Sequence, residues 1–232
     1  MSLPYFFAAD LSTEEQIVLP EETSKHCIQV LRMQQGEQLM LTDGKGKLLH
    51  ATILNADRKH CVVKVESEKF VEENKRKISI ALSLVKNTSR FEWFLEKATE
   101  IGVTEIIPLI CKRTEKQYFR KDRMEQIVVS AMLQSQQAWL PTLQEPLTFE
   151  KVVTNNSYTT KLIAHCEEDK KQALSDIKKI ENTLLLIGPE GDFTQEEIEL
   201  AIQQKFNPVT LGSTRLRTET AGVVAAALLA NF

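Results

Sequence analysis

Two apolar runs near the C-terminal end, each closed by a glycine, most constrain what this chain can become. Leu184 to Ile187 is unbroken, as expected of a strand buried on both faces, and Gly188-Pro189 stops it. Thr194 with Glu197 three residues on forms a capping box, so a helix starts there. Val209 to Leu211 reads as a second strand, Gly212 opens its loop, and an Ala-rich helix follows from about Glu219. Strand, glycine loop and helix, twice over, argue an α/β fold with a mostly parallel sheet. Glycines at two neighbouring strand ends form a crevice where backbone amides approach a ligand closely.

The same alternation runs back to about residue 78. Ile78 to Val85 is a strand, and Ser89 with Glu92 reads as a capping box. The helix that follows runs to Ile101 and stops at Gly102, with Phe91, Phe94, Leu95, Ala98 and Ile101 as its buried stripe. Thr104 to Cys111 is the next strand, Lys121 to about Ala138 a long helix ended before Pro141, and Leu162 to Ala164 a further strand. The polar stretch Glu72 to Lys77 fits a linker. Upstream, Pro4 to Ala8 is a short strand, and Glu21 to Met33 reads as a helix with Cys27, Val30 and Leu31 as its apolar positions. Glu37 to Thr42, Lys47 to Leu54 and His60 to Glu66 alternate as strands, and Asp43-Gly44-Lys45-Gly46 is a hairpin turn. Strands joined by tight turns predict a small β-barrel. Two domains are expected, over residues 1–71 and 78–232.

Charge and cysteine usage narrow the function classes. The net charge of −3 excludes a globally basic nucleic-acid binder and leaves a local basic face open. Cys27, Cys61, Cys111 and Cys166 are irregularly spaced, which fits reduced thiols in a cytoplasmic protein rather than a disulfide framework. Three of them follow a histidine directly, and adjacent strand residues face opposite ways, so no metal site is expected. Between Lys112 and Arg123 lie six basic residues against two acidic, with Tyr118 and Phe119 among them. Basic residues interleaved with aromatics suit a single-stranded RNA segment, and equally a solvated connection.

The glycine loops are neither a phosphate-binding P-loop, which needs G-K-[ST], nor the G-x-G-x-x-G of a dinucleotide fold. Apolar walls and free backbone groups suit an adenosine-bearing ligand. The stretches I-G-P-E-G-D-F-T at Ile187 to Thr194 and L-G-S-T-R-L-R-T-E-T-A at Leu211 to Ala221 resemble the RsmE family of SPOUT-class methyltransferases. So do H-C-I-Q-V-L-R-M at His26 to Met33, D-G-K-G at Asp43 to Gly46, Leu84 to Val103, and the Gln134-Ser135 pair.

The resemblance implies an N-terminal PUA-like barrel that helps hold RNA and a C-terminal SPOUT domain with a trefoil knot. It implies S-adenosylmethionine as cofactor, a homodimer with the site near the subunit interface, no membrane association, and methylation of N3 of a uridine in 16S rRNA of the small ribosomal subunit (uridine 1498 in the usual rRNA numbering). Carried over, the cofactor-binding residues are His165, Cys166, Ile187, Gly188, Pro189, Glu190, Gly191, Leu211, Gly212, Leu216, Arg217, Thr220 and Ala221. Arg217, Glu190 and Glu219 are the candidate catalytic residues. Arg217 would stabilise the uridine anion, and a carboxylate would take the N3 proton or orient Arg217. Arg32, Lys45, Arg90, Arg113 and Gln134 are the candidate RNA contacts. The alternatives are a SPOUT 2′-O-ribose RNA methyltransferase and a non-catalytic RNA-binding ribosome assembly factor.

Overall fold

The computed structural model describes residues 3–11, 14–167, 171–177 and 181–230. The chain forms two compact units, Met1–Glu73 with Met132–Leu140, and Asn74–Ala131 with Pro141–Phe232.

In the first unit, β1 (Tyr5–Phe7) and β2 (Gln16–Val18) are short. A single turn of helix, α1 (Glu21–Lys25), widens into a π-helical turn at His26–Val30. Three strands follow: β3 (Gln38–Thr42), β4 (Lys47–Asn55) and β5 (Val62–Phe70). They form one sheet in the order β1-β3-β4-β5-β2, parallel only between β1 and β3. Its inner face buries Phe6, Leu39, Leu41, Leu49, Ile53 and Val63. The helix expected over Glu21 to Met33 is shorter: it ends at Val30, and Arg32 is left-handed at φ 56°. Val30 and Leu31 are 66% and 46% exposed, so of the three apolar positions only Cys27 is in the core. The chain turns after Val30 because Met33, not Leu31, is the next residue the core takes in. The expected hairpin at Asp43 to Gly46 joins β3 to β4. Gly46 has φ 99°, and a Cβ there would fall 2.7 Å from the Trp139 ring, so glycine is required twice over. Trp139 also donates its indole N–H to the Val71 carbonyl at 2.9 Å, which ties residues 132–140 to this sheet.

In the second unit β6 (Lys77–Ser83) leads into α2 (Thr88–Ile101), then β7 (Glu105–Ile110) and α3 (Lys121–Gln134). Short pieces β8 (Thr142–Leu143), β9 (Leu147–Thr148) and α4 (Phe149–Val153) precede β10 (Thr160–Ala164) and β11 (Gln172–Ala173). The unit closes with β12 (Asn182–Ile187), α5 (Gln195–Gln203), β13 (Asn207–Thr210) and α6 (Thr218–Ala230). The sheet order is β11-β13-β10-β12-β6-β7-β8, with every pairing parallel.

Both faces of this sheet are covered, which explains the unbroken apolar runs. Leu184 and Leu186 of β12 pack with Phe149, Phe193, Ile198 and Phe206 on one side. On the other side Leu82 of β6 and Phe94 of α2 meet α6 at Gly222, where a Cβ would stand 2.6 Å from the Phe94 ring. After β13, at the flank beyond β10, the chain returns across the sheet to lay α6 on β6 and α2. That crossing accords with the knotted α/β class implied by the resemblance.

Four further local expectations are corrected. The cap of α2 is Asn87, whose side chain accepts from the Ser89 amide at 3.0 Å; Ser89 and Glu92 make no capping box. Glu92 is taken instead by Arg123, which donates to both its oxygens at 2.5 and 2.9 Å. In the α2 stripe, Ile101 is only partly buried, and Thr99 is buried in its place through a hydroxyl bond to the Leu95 carbonyl. The long helix α3 ends at Gln134 rather than Ala138, because Gln136 adopts φ 56°, which no helix continues. Leu211 likewise lies beyond β13, not within it.

Replacing Gly222 with Ala should lower unfolding stability by about 1–2 kcal/mol, because overpacking between α6 and α2 outweighs the better helix propensity. A urea titration followed by far-ultraviolet circular dichroism measures the shift in midpoint.

Candidate active site

Parallel strands deliver their connections to one edge, so β10, β12 and β13 end side by side. A cleft of about 750 Å³ opens there, its wall beginning at Ala164, Ile187 and Val209, the last or near-last residues of the three strands. That volume lies in the range of small-molecule sites. Among the residues expected to hold a cofactor, His165, Cys166, Ile187, Gly188, Pro189, Glu190, Leu211, Gly212, Leu216, Arg217 and Ala221 line it. Gly191 and Thr220 do not form part of the wall.

Each loop is held by a small set of bonds. Pro189 to Asp192 closes as a turn, the Asp192 amide donating to the Pro189 carbonyl at 2.9 Å. Asp192 sits at φ 62°, a conformation aspartate tolerates better than most residues. One of its carboxylate oxygens accepts from the Phe193 amide at 2.8 Å, and the other from the Cys166 amide at 2.7 Å. That second bond joins the β10 and β12 loops. Thr218, buried at the start of α6, donates its hydroxyl to the Gly188 carbonyl at 3.0 Å and so joins the β12 loop to the last one. The expected capping box of α5 is present between Thr194 and Glu197. Glu197 is buried and also accepts from the Lys112 amide at 2.8 Å. Arg113 then reaches over the loop and donates to the carbonyls of Gly191, at 2.7 Å, and Phe193, at 3.2 Å.

The three candidate catalytic residues are differently situated. Arg217 is exposed in the cleft wall. Glu190 stands in the same wall with a 38% exposed side chain, whereas the Glu219 side chain is 8% exposed. Arg90 from α2 lies between the carboxylates, 3.9 Å from Glu190 and 3.6 Å from Glu219. The second oxygen of Glu219 is buried and has no hydrogen-bond partner among the described residues. Glu219 also sits in the first turn of α6, where a carboxylate is favoured by the helix dipole.

Of the expected RNA contacts, Arg90 and Arg113 are thus engaged within the second unit, one with carboxylates and one with loop carbonyls. Arg32, Lys45 and Gln134 are exposed. Asp192 and Thr218, which knit the loops together, were not among the expected site residues. Asp192 had a readable signal, an aspartate closing a glycine turn. Thr218 had none, because its bond spans thirty residues of chain.

The wall carries both charge signs, Glu190 and Asp192 against Lys171, Arg215 and Arg217. With glycine at Gly188 and Gly212, it fits a ligand bearing an amino-acid zwitterion and an apolar heterocycle. Comparisons with known proteins agree in direction. Residues 72–230 match a family described as an RNA methyltransferase domain, and residues 19–66 match an RNA methyltransferase PUA domain. The ribosomal RNA small subunit methyltransferase E of Synechocystis sp. is 31% identical over 222 residues, covering 92% of this chain and 72% of that protein. A crystal structure of a probable rRNA-methyltransferase from Porphyromonas gingivalis is 39% identical, with a TM-score of 0.88 over 97% of this chain and 95% of its own. The ribosomal RNA small subunit methyltransferase E of Neisseria gonorrhoeae, solved bound to S-adenosyl methionine, is 29% identical with a TM-score of 0.88, over 97% and 96% of the two chains.

Cys166 provides a probe of the cleft, since it is exposed while the other three cysteines are buried. Partial burial, and then the Asp192 carboxylate, hold its thiol above the ordinary value. Only the thiolate reacts, so alkylation at neutral pH should be slower than for a free cysteine and should accelerate above the usual thiol range. Mass-spectrometric rates across a pH series, with Cys166→Ser as control, check this.

Proposed function

We propose, on the premise that this chain belongs to the RNA methyltransferase family, that it methylates N3 of a uridine in the 16S RNA of the small ribosomal subunit. The methyl donor is S-adenosylmethionine. The observation that carries the reading is the cleft at the ends of β10, β12 and β13, in a fold shared over nearly its whole length with donor-bound relatives. Held there, the donor supplies a methyl group activated by a sulfonium centre. The chain's own contribution is positioning and charge. Backbone groups of Ile187 to Glu190, of Leu211 to Thr218 and of Ala221, with His165 and Cys166, would form the donor's cradle. Neutral uridine N3 is a poor nucleophile, so its proton must leave.

Arg217, exposed in the cleft, stabilises the negative charge that develops on the base. Glu190 is favoured as the proton acceptor, because it lines the cleft and a base must reach its proton. Glu219, largely buried against Arg90, is favoured as a positioning residue. Domains over residues 1–71 and 78–232 divide the work: the first holds RNA through Arg32 and Lys45, and Gln134 is a further contact. The protein acts as a homodimer, with the site near the subunit interface, in the cytoplasm. Among the described residues no helix is long and apolar enough to cross a membrane.

Small subunits from cells lacking this gene, incubated with the protein and labelled donor, should yield 3-methyluridine on digestion and mass spectrometry. A 2′-O-methyl nucleoside instead would overturn the proposed reaction. Arg217→Ala should lower turnover by about 10²–10³-fold, far more than it lowers donor affinity measured by calorimetry; unchanged turnover would remove Arg217 from the mechanism.

A further inference from the structure

A second, shallower pocket adjoins the cleft. Lys86, Asn87, Thr88, Arg90, Lys116 and Glu190 line it, and Glu190 is common to both walls. Three of the six are cationic and one is anionic, in a protein whose net charge is −3. The floor is the start of α2, where the helix dipole favours an anion. Lys86 pairs with Glu115, at 3.0 Å between side chains that are 73% and 60% exposed, a pairing that a phosphate can replace at little cost. Arg90 spends its guanidinium on two ion pairs of 3.6 and 3.9 Å, both longer than a hydrogen bond, so it keeps donors to offer.

A nucleic acid is indicated by what stands beside the cations. Tyr118 is 61% exposed, and the Lys116 ammonium lies 6.0 Å from its ring centre. Phe119, its neighbour, is instead packed edge-on against Phe91, which anchors the segment to α2. A fixed segment that presents a bare aromatic ring next to ammonium groups offers stacking and phosphate neutralisation together, which single-stranded RNA requires.

We propose that this pocket binds the phosphate linkage adjoining the target uridine, with Lys86, Lys116 and Arg90 as its cations and Tyr118 as the stacking surface for a flanking base. The assignment rests on the proposed RNA methylation and deepens it. Glu190 then separates donor from nucleotide, and Arg90 links the bound phosphate to both carboxylates. An incoming linkage thereby orders the groups that act on the base.

The test uses the full chain and a short fluorescent single-stranded RNA with one central uridine, each linkage in turn made neutral as methylphosphonate. Affinity is read by anisotropy over a salt series. For the wild type, one linkage beside the uridine should stand out, its neutralisation weakening binding about tenfold or more. The double variant Lys86→Gln/Lys116→Gln, which changes only exposed side chains, should bind the charged RNA more weakly. Its salt slope should be shallower by roughly 0.7 for each phosphate that the protein no longer neutralises, and it should respond far less than wild type when that linkage is made neutral. Tyr118→Ala should weaken binding without changing the salt slope. If the double variant remains as sensitive to that linkage as wild type, or if no linkage stands out, the pocket is not a phosphate site. The readout does not depend on methyl transfer. Binding with the expected linkage pattern but without methylated product would sink the proposed reaction and leave the pocket assignment standing.

Discussion

Everything at the candidate site depends on burying the central strands on both faces. β12 pairs with β6 on one side and β10 on the other, and its apolar side chains meet α5 and α4 below and α6, itself packed on α2, above. A strand so enclosed can be followed only by a crossover, and crossovers from parallel strands bring all their loops to one edge. The cleft is the consequence. Its three loops come from strands that are neighbours in space but lie between about twenty and forty-five residues apart in sequence.

Those loops are then joined by few bonds of high leverage. Asp192 couples the β12 loop to the β10 loop through the Cys166 amide, and Thr218 couples it to the last loop through the Gly188 carbonyl. Arg113 closes the outer side. A hydrogen bond contributes only about 1 kcal/mol net, but each of these satisfies a backbone group that would otherwise be left in a tight turn. The arrangement therefore presents a preformed concavity. Gly222 extends the same logic to the far face, since α6 reaches its place only because nothing projects toward Phe94.

Charge is distributed along a different line. Arg90, Glu190 and Glu219 come from α2, the β12 loop and α6, and they form the seam between the cleft and the neighbouring cationic pocket. In the sequence Arg90 is a candidate RNA contact. In the fold it faces two carboxylates, one of them largely buried, and it borders the place where an anion is best received.

The sequence by itself determined the α/β alternation of the second unit, the hairpin at Asp43 to Gly46, the capping box at Thr194 and Glu197, and the two glycine loops. In each, the deciding physics acts within a few residues. The motifs at Ile187 to Thr194 and Leu211 to Ala221 carried the family as well. Tertiary structure decided the rest. It ended α1 early, because the core admits Met33 and not Leu31, and it gave the α2 cap to Asn87, because Glu92 is claimed by Arg123. It also made Thr218 and Asp192 the ties between loops, and Arg90 the hinge of the charged seam. Their partners lie between 26 and 30 residues away for the two ties, and at opposite ends of the second unit for Arg90 and Glu219. No local pattern specifies such a partner; the order of strands in the sheet does.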